Sequence, residues 1–596
     1  MEKRFLIALV LSLIVLFGWQ WAFADKPSET PTPKPAASAT EKPVVAAPAK
    51  PSAPRLPPDQ LREEVLENDR LRLVFSSAGG VLARVELKDY KSGSSATNGS
   101  LLLMAAPTDG TGALEVNEAR QADLGAGTYW NLSRSADGRS VSMERSVTRP
   151  GGTMVLRKEI SLPVGDCRHA TVRFSIEGRG EANTVFAPEL SLTVTRGVFQ
   201  ESGGSAMSPA RSGLRNVDKE LRIVAAQEVR EETQGLKIVL GGERRLAADL
   251  SNYFGAVLLL NNFQGPVEAV VRAVPAEDRG DGGAADERTS TSIDFGARVE
   301  CGKPAVAYEA LLYLGPLDAK IVAADFGSGQ AEDAAAIASI YTDQLGWARV
   351  VGHAVLWMLD VCYGLCGNWG WAIVLLTLCV RLILFPVNRR SQDAMARHQE
   401  AMARLKPKLD ALRKLHEKDG RAFATEQMKL MRSEKVKLVP LGGCLPMLLQ
   451  IPIFFGLFAA LRASIDLRQA AWLWVPDLSQ PDHMIRFDDP VSNPLSLCGL
   501  IPGCGSCVGG APALTGLHLL PILMTIAWFL NSYLMPKPAT SDPQMEQQRK
   551  MMLFMPILFG FMMYGYAAGL SLYWLVSSTI GIIEGRIIRT LRAKAG

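Results

Sequence analysis

One charged residue, Arg381, interrupts the most apolar stretch of the chain. From Trp369 to Pro386 the sequence reads WGWAIVLLTLCVRLILFP, where every other residue is apolar or small except for the hydroxyl of Thr377. A charge within the hydrocarbon of a bilayer costs at least about 2.5–3.5 kcal/mol, so such residues usually face a bundle interior or a wet cavity. A guanidinium there attracts anions. Snorkelling is the alternative, because Arg381 lies only about 7 Å of helix before Pro386.

Other motifs that carry chemistry are sparse. The 596 residues are 48% hydrophobic, with a net charge of +4 and a mean hydropathy of +0.10. The His and Cys residues are scattered without zinc-site spacing, and we find no phosphate-binding loop, dinucleotide fingerprint, HExxH or G-x-S-x-G motif. We therefore predict that the protein is not an enzyme and has no metal site or cofactor.

The cysteines leave two pairings open. Cys504 and Cys507 form a CxxC motif, which is typical of redox or metal sites, but no thioredoxin-like βαβ pattern surrounds them. We interpret them as a candidate structural disulfide. Cys167 and Cys301 either pair in an oxidising compartment or remain two buried thiols.

The N-terminal half divides into three parts. Residues 1–24 form an apolar run that we interpret as a transmembrane anchor, with a cleaved signal peptide as the alternative. Residues 25–57 are rich in Pro and Ala and form a disordered linker. In residues 58–330, short alternating segments are separated by Gly, Asp, Asn and Ser, which predicts an antiparallel β-sandwich domain.

The C-terminal half is predicted to be helical. Residues 331–365 suggest an interfacial amphipathic helix, or else the first embedded turn of the next span. Residues 366–388 form the second span, and residues 389–437 a helical hairpin. Residues 438–596 supply four more spans, an exterior loop at 464–516 and a basic tail. The fold class is thus a multi-domain membrane protein with an α-helical transmembrane bundle of six spans.

The loop charges set the orientation. Residues 389–437 contain 14 Lys and Arg against 7 Asp and Glu, whereas Arg468 and Arg486 are the only Lys or Arg in 464–516. Because cytoplasmic loops carry the excess of Lys and Arg, we predict that the hairpin and the C-terminus are cytoplasmic and the β domain is outside.

The basic hairpin is a candidate docking surface. Its apolar seam, from Met395 to Leu412, has coiled-coil spacing. A basic face attracts phosphate and acidic partners at long range, although a loop that only sets topology would look similar. The docking candidates are Arg389, Arg390, Arg404, Lys406, Lys408, Arg413 and Lys414.

The C-terminal 230 residues or so resemble the YidC membrane protein insertase family, which includes the oxidase-assembly and Albino proteins. The large exterior domain is similar to the Gram-negative type. The matching motifs, in order, are Gly367-Asn-Trp-Gly370, Val380-Arg381, Phe385-Pro386, Pro440-Leu-Gly-Gly-Cys444, Pro446, Gln450-Ile-Pro452-Ile-Phe454, Leu467-Arg-Gln-Ala470, Asp542-Pro543, Met555-Pro556 and Gly569-Leu-Ser-Leu-Tyr573-Trp574.

The resemblance implies an inner-membrane insertase and chaperone that moves hydrophobic segments of nascent membrane proteins laterally into the bilayer. Five spans would form a hydrophilic groove lined by Arg381, Thr377, Tyr573, Trp574 and Gln450. The family often has tyrosine where Trp574 stands, which puts a phenolic hydrogen bond there in doubt.

The implied partners are nascent chains, the lipid bilayer, the ribosome and the Sec translocon, with the signal recognition particle receptor as a further candidate. No specific DNA is expected. Two alternatives remain: a secondary transporter whose Arg381 binds an anionic solute, although no internal repeat is evident, and a receptor built on the β domain.

Overall fold

A computed structural model describes the chain from residue 61 to residue 595. The predicted anchor and linker at 1–57 lie outside the described residues. Also outside them are the segments 92–98, 106–110, 119–123, 126, 199–210, 216–220, 230–234, 242–244, 264, 275–287, 345–348, 416–419, 435–440, 493–506, 509–510 and 535–542.

An antiparallel β-rich domain occupies the described residues from 63 to 316. Its largest sheet has nine strands in the order β13-β12-β15-β16-β20-β9-β8-β7-β6, and a five-stranded sheet has the order β14-β17-β18-β11-β5. The strands β1 to β4 form a third sheet, and β10 pairs with β19. The strand bounds are β1 Glu63–Glu67, β2 Leu71–Ser76, β3 Val81–Lys91, β4 Ser100–Ala105, β5 Val116–Glu118, β6 Asn131–Arg134, β7 Ser140–Arg149, β8 Gly152–Ser161, β9 His169–Gly180, β10 Val185–Phe186, β11 Glu189–Thr193, β12 Arg211–Arg215, β13 Leu221–Ala225, β14 Leu236–Leu240, β15 Arg245–Leu250, β16 Phe254–Leu260, β17 Val267–Val274, β18 Arg288–Gly296, β19 Val299–Glu300 and β20 Val306–Pro316.

Strand β16 shows why the nine-stranded sheet lies inside the domain. Its sequence FGAVLLL is apolar at almost every position and all seven residues are buried. Phe254 and Leu258 join the core shared with the other sheets, whereas Val257 and Leu259 join a second core on the opposite face. A strand that is covered on both faces has a continuous apolar sequence rather than alternating apolar and polar residues.

Helices cover that opposite face and then lead to the apolar half of the chain. The helix bounds are α1 Ala226–Val229, α2 Ala319–Phe326, α3 Ala331–Gln344, α4 Arg349–Cys366, α5 Trp369–Leu415, α6 Gly420–Ser433, α7 Leu441–Ala463, α8 Leu519–Tyr533, α9 Pro543–Met562 and α10 Ala568–Ala595, with 3-10 turns at Ser328–Gln330 and Ile465–Leu467. A small sheet, in the order β21-β23-β22, lies between α7 and α8; its strands are β21 Ile485–Ser492, β22 Cys507–Val508 and β23 Ala511–Leu517.

Two helices in the described part of the chain are long and apolar enough to cross a membrane. They are Arg349–Cys366 and Trp369–Leu405, with mean hydropathies of 1.3 and 2.2. The apolar helices Pro452–Ala463 and Leu519–Tyr533 are shorter. The segment 331–365, predicted as interfacial, thus contains α3 and nearly all of α4. The arrangement of six spans stays a prediction.

A sharp turn joins α4 to α5 and fixes where the Arg381 helix begins. Gly367 has a φ of 65°, a left-handed conformation that favours glycine. Asn368 Oδ1 then accepts hydrogen bonds from the backbone N–H groups of Gly370 (3.0 Å) and Trp371 (3.3 Å). This side chain satisfies two of the N–H groups that every helix start leaves without partners.

The β domain and the helices touch through the loop that follows α7. Gln469 Nε2 donates to the Lys91 backbone oxygen at 3.0 Å, and Arg468 Nη2 donates to the same oxygen. The Arg468 guanidinium also lies 5.5 Å from the Phe254 ring centroid. Ile465 belongs to the main core of the β domain.

Candidate functional site

The side chain of Arg381 forms hydrogen bonds with α10. Its Nε and Nη2 groups both donate to Ser577 Oγ, at 3.0 and 2.6 Å. Its Nη1 lies 3.5 Å from Glu584 Oε2, and this is its one ion pair among the described residues. The guanidinium therefore lies against α10 rather than extending along α5 towards Pro386, and 22% of its side chain is exposed.

The three α10 positions beside Arg381 follow helical spacing. Ser577, Gly581 and Glu584 are four and three residues apart, so they occupy one face of the helix. A Cβ placed on Gly581 would lie 3.8 Å from both Nη1 and Nη2 of Arg381 and 3.7 Å from Asn531 Nδ2. The helices α5, α8 and α10 thus meet at this point.

We call this group the polar cluster: Arg381, Asn388, Asn531, Ser577 and Glu584. Asn388 Nδ2 joins it through Glu584 Oε2 at 3.5 Å. Ser577 and Glu584 are only 3% and 6% exposed, so the cluster is largely shielded from solvent. A shielded arginine and carboxylate interact more strongly than the same pair in water.

A buried apolar core occupies the end of the bundle towards the β domain. Ile373 and Leu376 of α5 pack there with Leu461, Leu520 and Met524. The polar cluster begins one turn beyond Thr377 along α5. The bundle therefore has an apolar core at one end and the polar cluster at the other.

A second polar contact lies between α7 and α10. Gln450 Nε2 donates to the hydroxyl of Tyr573 at 3.0 Å, across 123 residues of sequence. Tyr573 is 2% exposed. The structure thus brings two of the sequence-predicted groove residues together, although no contact joins them to Arg381.

Trp574 lies in an aromatic cluster instead. Its ring stacks on Trp528, with centroids 5.3 Å apart, and tilts against Phe454 and Phe559 at 5.6 and 5.4 Å. Its buried indole N–H has no hydrogen-bond acceptor among the described residues. Thr377 is fully buried, and its hydroxyl donates to the Ile373 backbone oxygen at 2.6 Å.

The loop that leads to β21 contacts two helix starts at the end of the bundle nearest the β domain. Backbone oxygens of Gln480 and Leu478 accept the N–H groups of Ala568 and Gly569, at 2.8 and 2.9 Å, where α10 begins. Asp482 Oδ2 accepts the N–H of Leu520 at 2.6 Å, where α8 begins. The loop therefore supplies acceptors to two helix starts.

All seven docking candidates lie along α5. Arg389, Arg390, Arg404 and Lys408 are exposed. Lys408 pairs with Glu434, just beyond α6, so α5 and α6 are in contact. The side chains of Lys406, Arg413 and Lys414 are outside the description.

The cysteine predictions have mixed outcomes. Cys167 and Cys301 are buried free thiols, so the pairing alternative was wrong. Cys504 lies outside the described residues and only the backbone of Cys507 is described, so that disulfide stays a prediction. No cluster of three or more His, Cys, Asp or Glu residues suited to a metal occurs in the described part of the chain.

The sequence analysis missed Ser577, Asn388, Asn531 and Glu584. A signal for the last was available, because Glu584 is the only acidic residue of α10. It ends the apolar run from Gly569 to Ile583, and an acidic residue at that depth needs a partner. Its pairing with Arg381 spans 203 residues and depends on which face α10 presents.

The described part of the chain thus combines a large antiparallel β domain with a bundle of apolar helices. Residues 361–595 match a family model described as 60Kd inner membrane protein. The match covers the part of the chain that carries the motifs and confirms the resemblance drawn from them.

Individual relatives agree with the family. The membrane protein insertase YidC of Laribacter hongkongensis is 35% identical over 274 residues, or 46% of this chain and 40% of the relative. That of Ralstonia nicotianae is 37% identical over 240 residues, or 40% of this chain and 35% of the relative. The matched part of the chain thus spans about two fifths of the length of these curated relatives.

Some solved structures also resemble this chain. A crystal structure of an active YidC insertase, with its first transmembrane domain resolved, is 15% identical and covers 88% of this chain and 93% of its own, with a TM-score of 0.33. A putative aldose 1-epimerase from Escherichia coli is 11% identical and covers 43% of this chain and 99% of its own, with a TM-score of 0.28.

Proposed function

We propose that this protein is a membrane protein insertase of the bacterial inner membrane, which moves apolar segments of nascent membrane proteins laterally into the bilayer. The family of residues 361–595 and the names of the relatives support this reading over a solute transporter. The observation that carries it is the polar cluster around Arg381, because a charged group buried inside an apolar bundle is costly and is kept for function.

The mechanism needs no covalent chemistry. A polar site at one end of a span lets the hydrophilic tail of a substrate travel part of the bilayer in favourable surroundings. Arg381 attracts carboxylates of that tail, and the low dielectric around it strengthens the attraction. The apolar segment of the substrate then partitions into lipid, which supplies the free energy. The membrane potential favours outward movement of acidic tails.

The orientation proposed here places the polar cluster near the cytoplasm. The basic segment 389–437 would lie inside, and the β domain and the loop 464–516 outside, by the distribution of Lys and Arg. The loop contacts at the starts of α8 and α10 would then close the outer end. Gln450, Tyr573, Trp574 and Thr377 would line or support the groove.

The exposed cations of α5 are the proposed docking surface for the ribosome. Arg389, Arg390, Arg404 and Lys408 point away from the bundle core, and ribosomal RNA is a polyanion that such a face attracts. The Sec translocon and the signal recognition particle receptor are further proposed partners, and a chaperone role beside the translocon would follow from them.

Reconstitution tests the proposal. Purified protein in liposomes would receive a single-span substrate with an acidic N-terminal tail, and protection of the tail from external protease would be measured. We expect clear protection above protein-free liposomes. Protection no greater than in those liposomes would refute the insertase function.

Substitution of Arg381 then tests the polar cluster. Arg381→Ala leaves Glu584 buried without a cation, so we expect insertion to fall about tenfold or more, which corresponds to about 1.4 kcal/mol. Arg381→Lys keeps the charge and should lose less. The matched control is Arg586→Ala, an exposed arginine of the same helix. An equal loss with Lys would show that the shape of the guanidinium, rather than its charge, is needed.

A further inference from the structure

The pair between Arg381 and Glu584 is long for a shielded ion pair. Its N–O separation is 3.5 Å, whereas charge-assisted hydrogen bonds are about 2.7–2.9 Å long. Among the described residues Glu584 has one other hydrogen bond, from Asn388 Nδ2, and that is also 3.5 Å long. Glu584 is thus buried, with 6% of the residue exposed, but its carboxylate is held only loosely.

Ser577 holds the guanidinium without help from Glu584. Two of the five N–H donors of Arg381, on Nε and Nη2, share the Ser577 hydroxyl. A third, on Nη1, points to Glu584. The remaining two have no acceptor among the described residues. Arg381 can therefore keep its position while the partner at its Nη1 end is exchanged.

Gly581 leaves room at that end of the guanidinium. A Cβ at this position would lie in ordinary contact with Nη1 and Nη2, at 3.8 Å from each, and any longer side chain would occupy their edge. This edge presents two parallel N–H groups and can bind a carboxylate through two hydrogen bonds. The glycine keeps the edge open to an incoming group.

We propose that Glu584 is the resting counter-ion of Arg381, and that a carboxylate on the tail of an arriving substrate displaces it. Glu584 then sets how acidic a tail must be to engage the site. The inference rests on the insertase function proposed above. Because displacement leaves Glu584 without a cation in shielded surroundings, a weakly acidic tail competes poorly and a strongly acidic tail competes well.

The test uses Glu584→Gln, which keeps the size of the side chain and removes its charge. Wild type and variant in liposomes would receive three versions of one single-span substrate, with no, one or several acidic residues in the tail. We expect insertion of the one-acid version to rise about tenfold in the variant, the change that corresponds to about 1.4 kcal/mol. Insertion of the neutral version should not change.

The dependence on tail charge separates this role from a structural one. If Glu584 only stabilised the bundle, Glu584→Gln would change all three substrates by the same factor. That result, or an unchanged one-acid substrate, would overturn the inference. Thr579→Ala is the matched control, because Thr579 is exposed on the same helix and the variant keeps both charges. Its dependence on tail charge should match that of wild type.

If Glu584→Gln does not fold, a second variant tests whether acidic tails bind at Arg381. Gly581→Leu fills the Nη1 and Nη2 edge while leaving Arg381 and Glu584 in place. We expect insertion of the acidic substrates to fall to the level of the neutral one. Gly585→Leu is its control, since a Cβ there meets nothing within 4 Å. Unchanged insertion of acidic tails by Gly581→Leu would contradict the proposal.

The two proposals fail in different ways. If wild type gives no insertion of the strongly acidic substrate above protein-free liposomes, the insertase function itself is wrong. If wild type inserts that substrate but neither variant alters the dependence on tail charge, only the role of Glu584 is wrong.

Discussion

A single carboxylate, that of Asp249, links the two largest sheets of the β domain. Its Oδ1 accepts from Ser212 Oγ and Thr291 Oγ1 at 2.8 and 2.7 Å. Its Oδ2 accepts from Thr195 Oγ1 at 2.8 Å and from the Thr291 N–H at 3.1 Å. Asp249 and Ser212 belong to the nine-stranded sheet and Thr291 to the five-stranded one. Burial raises the pKa of Asp249 to about 6, although these hydrogen bonds lower it.

The raised pKa of Asp249 predicts a pH-dependent contribution to stability. Between the ordinary value of 3.8 and about 6, the folded chain holds a proton that the unfolded chain has lost. The contribution therefore falls as the pH rises through this range and is level above it. Asp249→Asn should abolish this slope. Asp249→Ala removes the acceptor of the Ser212 and Thr195 hydroxyls and of the Thr291 N–H, and should cost at least about 2 kcal/mol. The Thr291 hydroxyl can still donate to Ser212 Oγ.

Scanning calorimetry of the full chain in detergent measures how the stability of the β domain depends on pH. The melting temperature of the β domain would be compared across the pH range for wild type, Asp249→Asn and Asp249→Ala. The exposed Asp166→Asn is the control and should behave as wild type. A slope that survives in Asp249→Asn would assign the pH dependence to another group.

At the scale of elements, the loop before β21 holds α8 in place. Asp482 is fully buried and accepts from the Leu520 N–H at 2.6 Å and from Trp474 Nε1 at 3.3 Å. Its backbone oxygen also contacts His518 Nδ1. The carboxylate thus satisfies a backbone donor in the first turn of α8, where an anion is also favoured by the helix dipole.

Loss of the Asp482 carboxylate should loosen the start of α8. We expect Asp482→Ala to speed amide hydrogen exchange at the start of α8 by about tenfold, the equivalent of about 1.4 kcal/mol. Asp477→Ala is the matched control, because the hydrogen bonds of Asp477 stay within the loop, to Ser479 and Gln480. Equal exchange in α8 for the two variants would show that Asp482 does not cap it.

Elements with local signals were predictable and their mutual arrangement was not. The apolar run around Arg381 predicted α5, and the alternating segments predicted the β-rich domain. Both patterns are local, because each can be recognised within a few consecutive residues. The partner of Arg381 was missed because it depends on the rotation of α10 against α5. Thr377 shares a face with Arg381, yet its hydroxyl is bonded to its own helix. The spacing of residues within one segment cannot predict how that segment packs against another helix.

At the scale of the whole molecule, the structure shows where the β domain can be cut away. Simple removal of residues 58–320 would leave most of α2 and all of α3 behind. Those helices bury Val322, Phe326, Ile337 and Ile340 against the nine-stranded sheet. Exposing that apolar face invites aggregation. The sound boundary therefore lies between α3 and α4.

We predict that a chain lacking residues 61–344 still inserts the acidic-tailed substrate at a rate within about threefold of wild type, a difference of less than about 1 kcal/mol. It loses the contacts of Arg468 and Gln469 with Lys91, but it keeps the polar cluster and the loop contacts at α8 and α10. The comparison chain lacks 61–318 and should aggregate on gel filtration. Loss of insertion by the longer deletion, in protein that remains monodisperse, would assign the β domain an essential part in insertion.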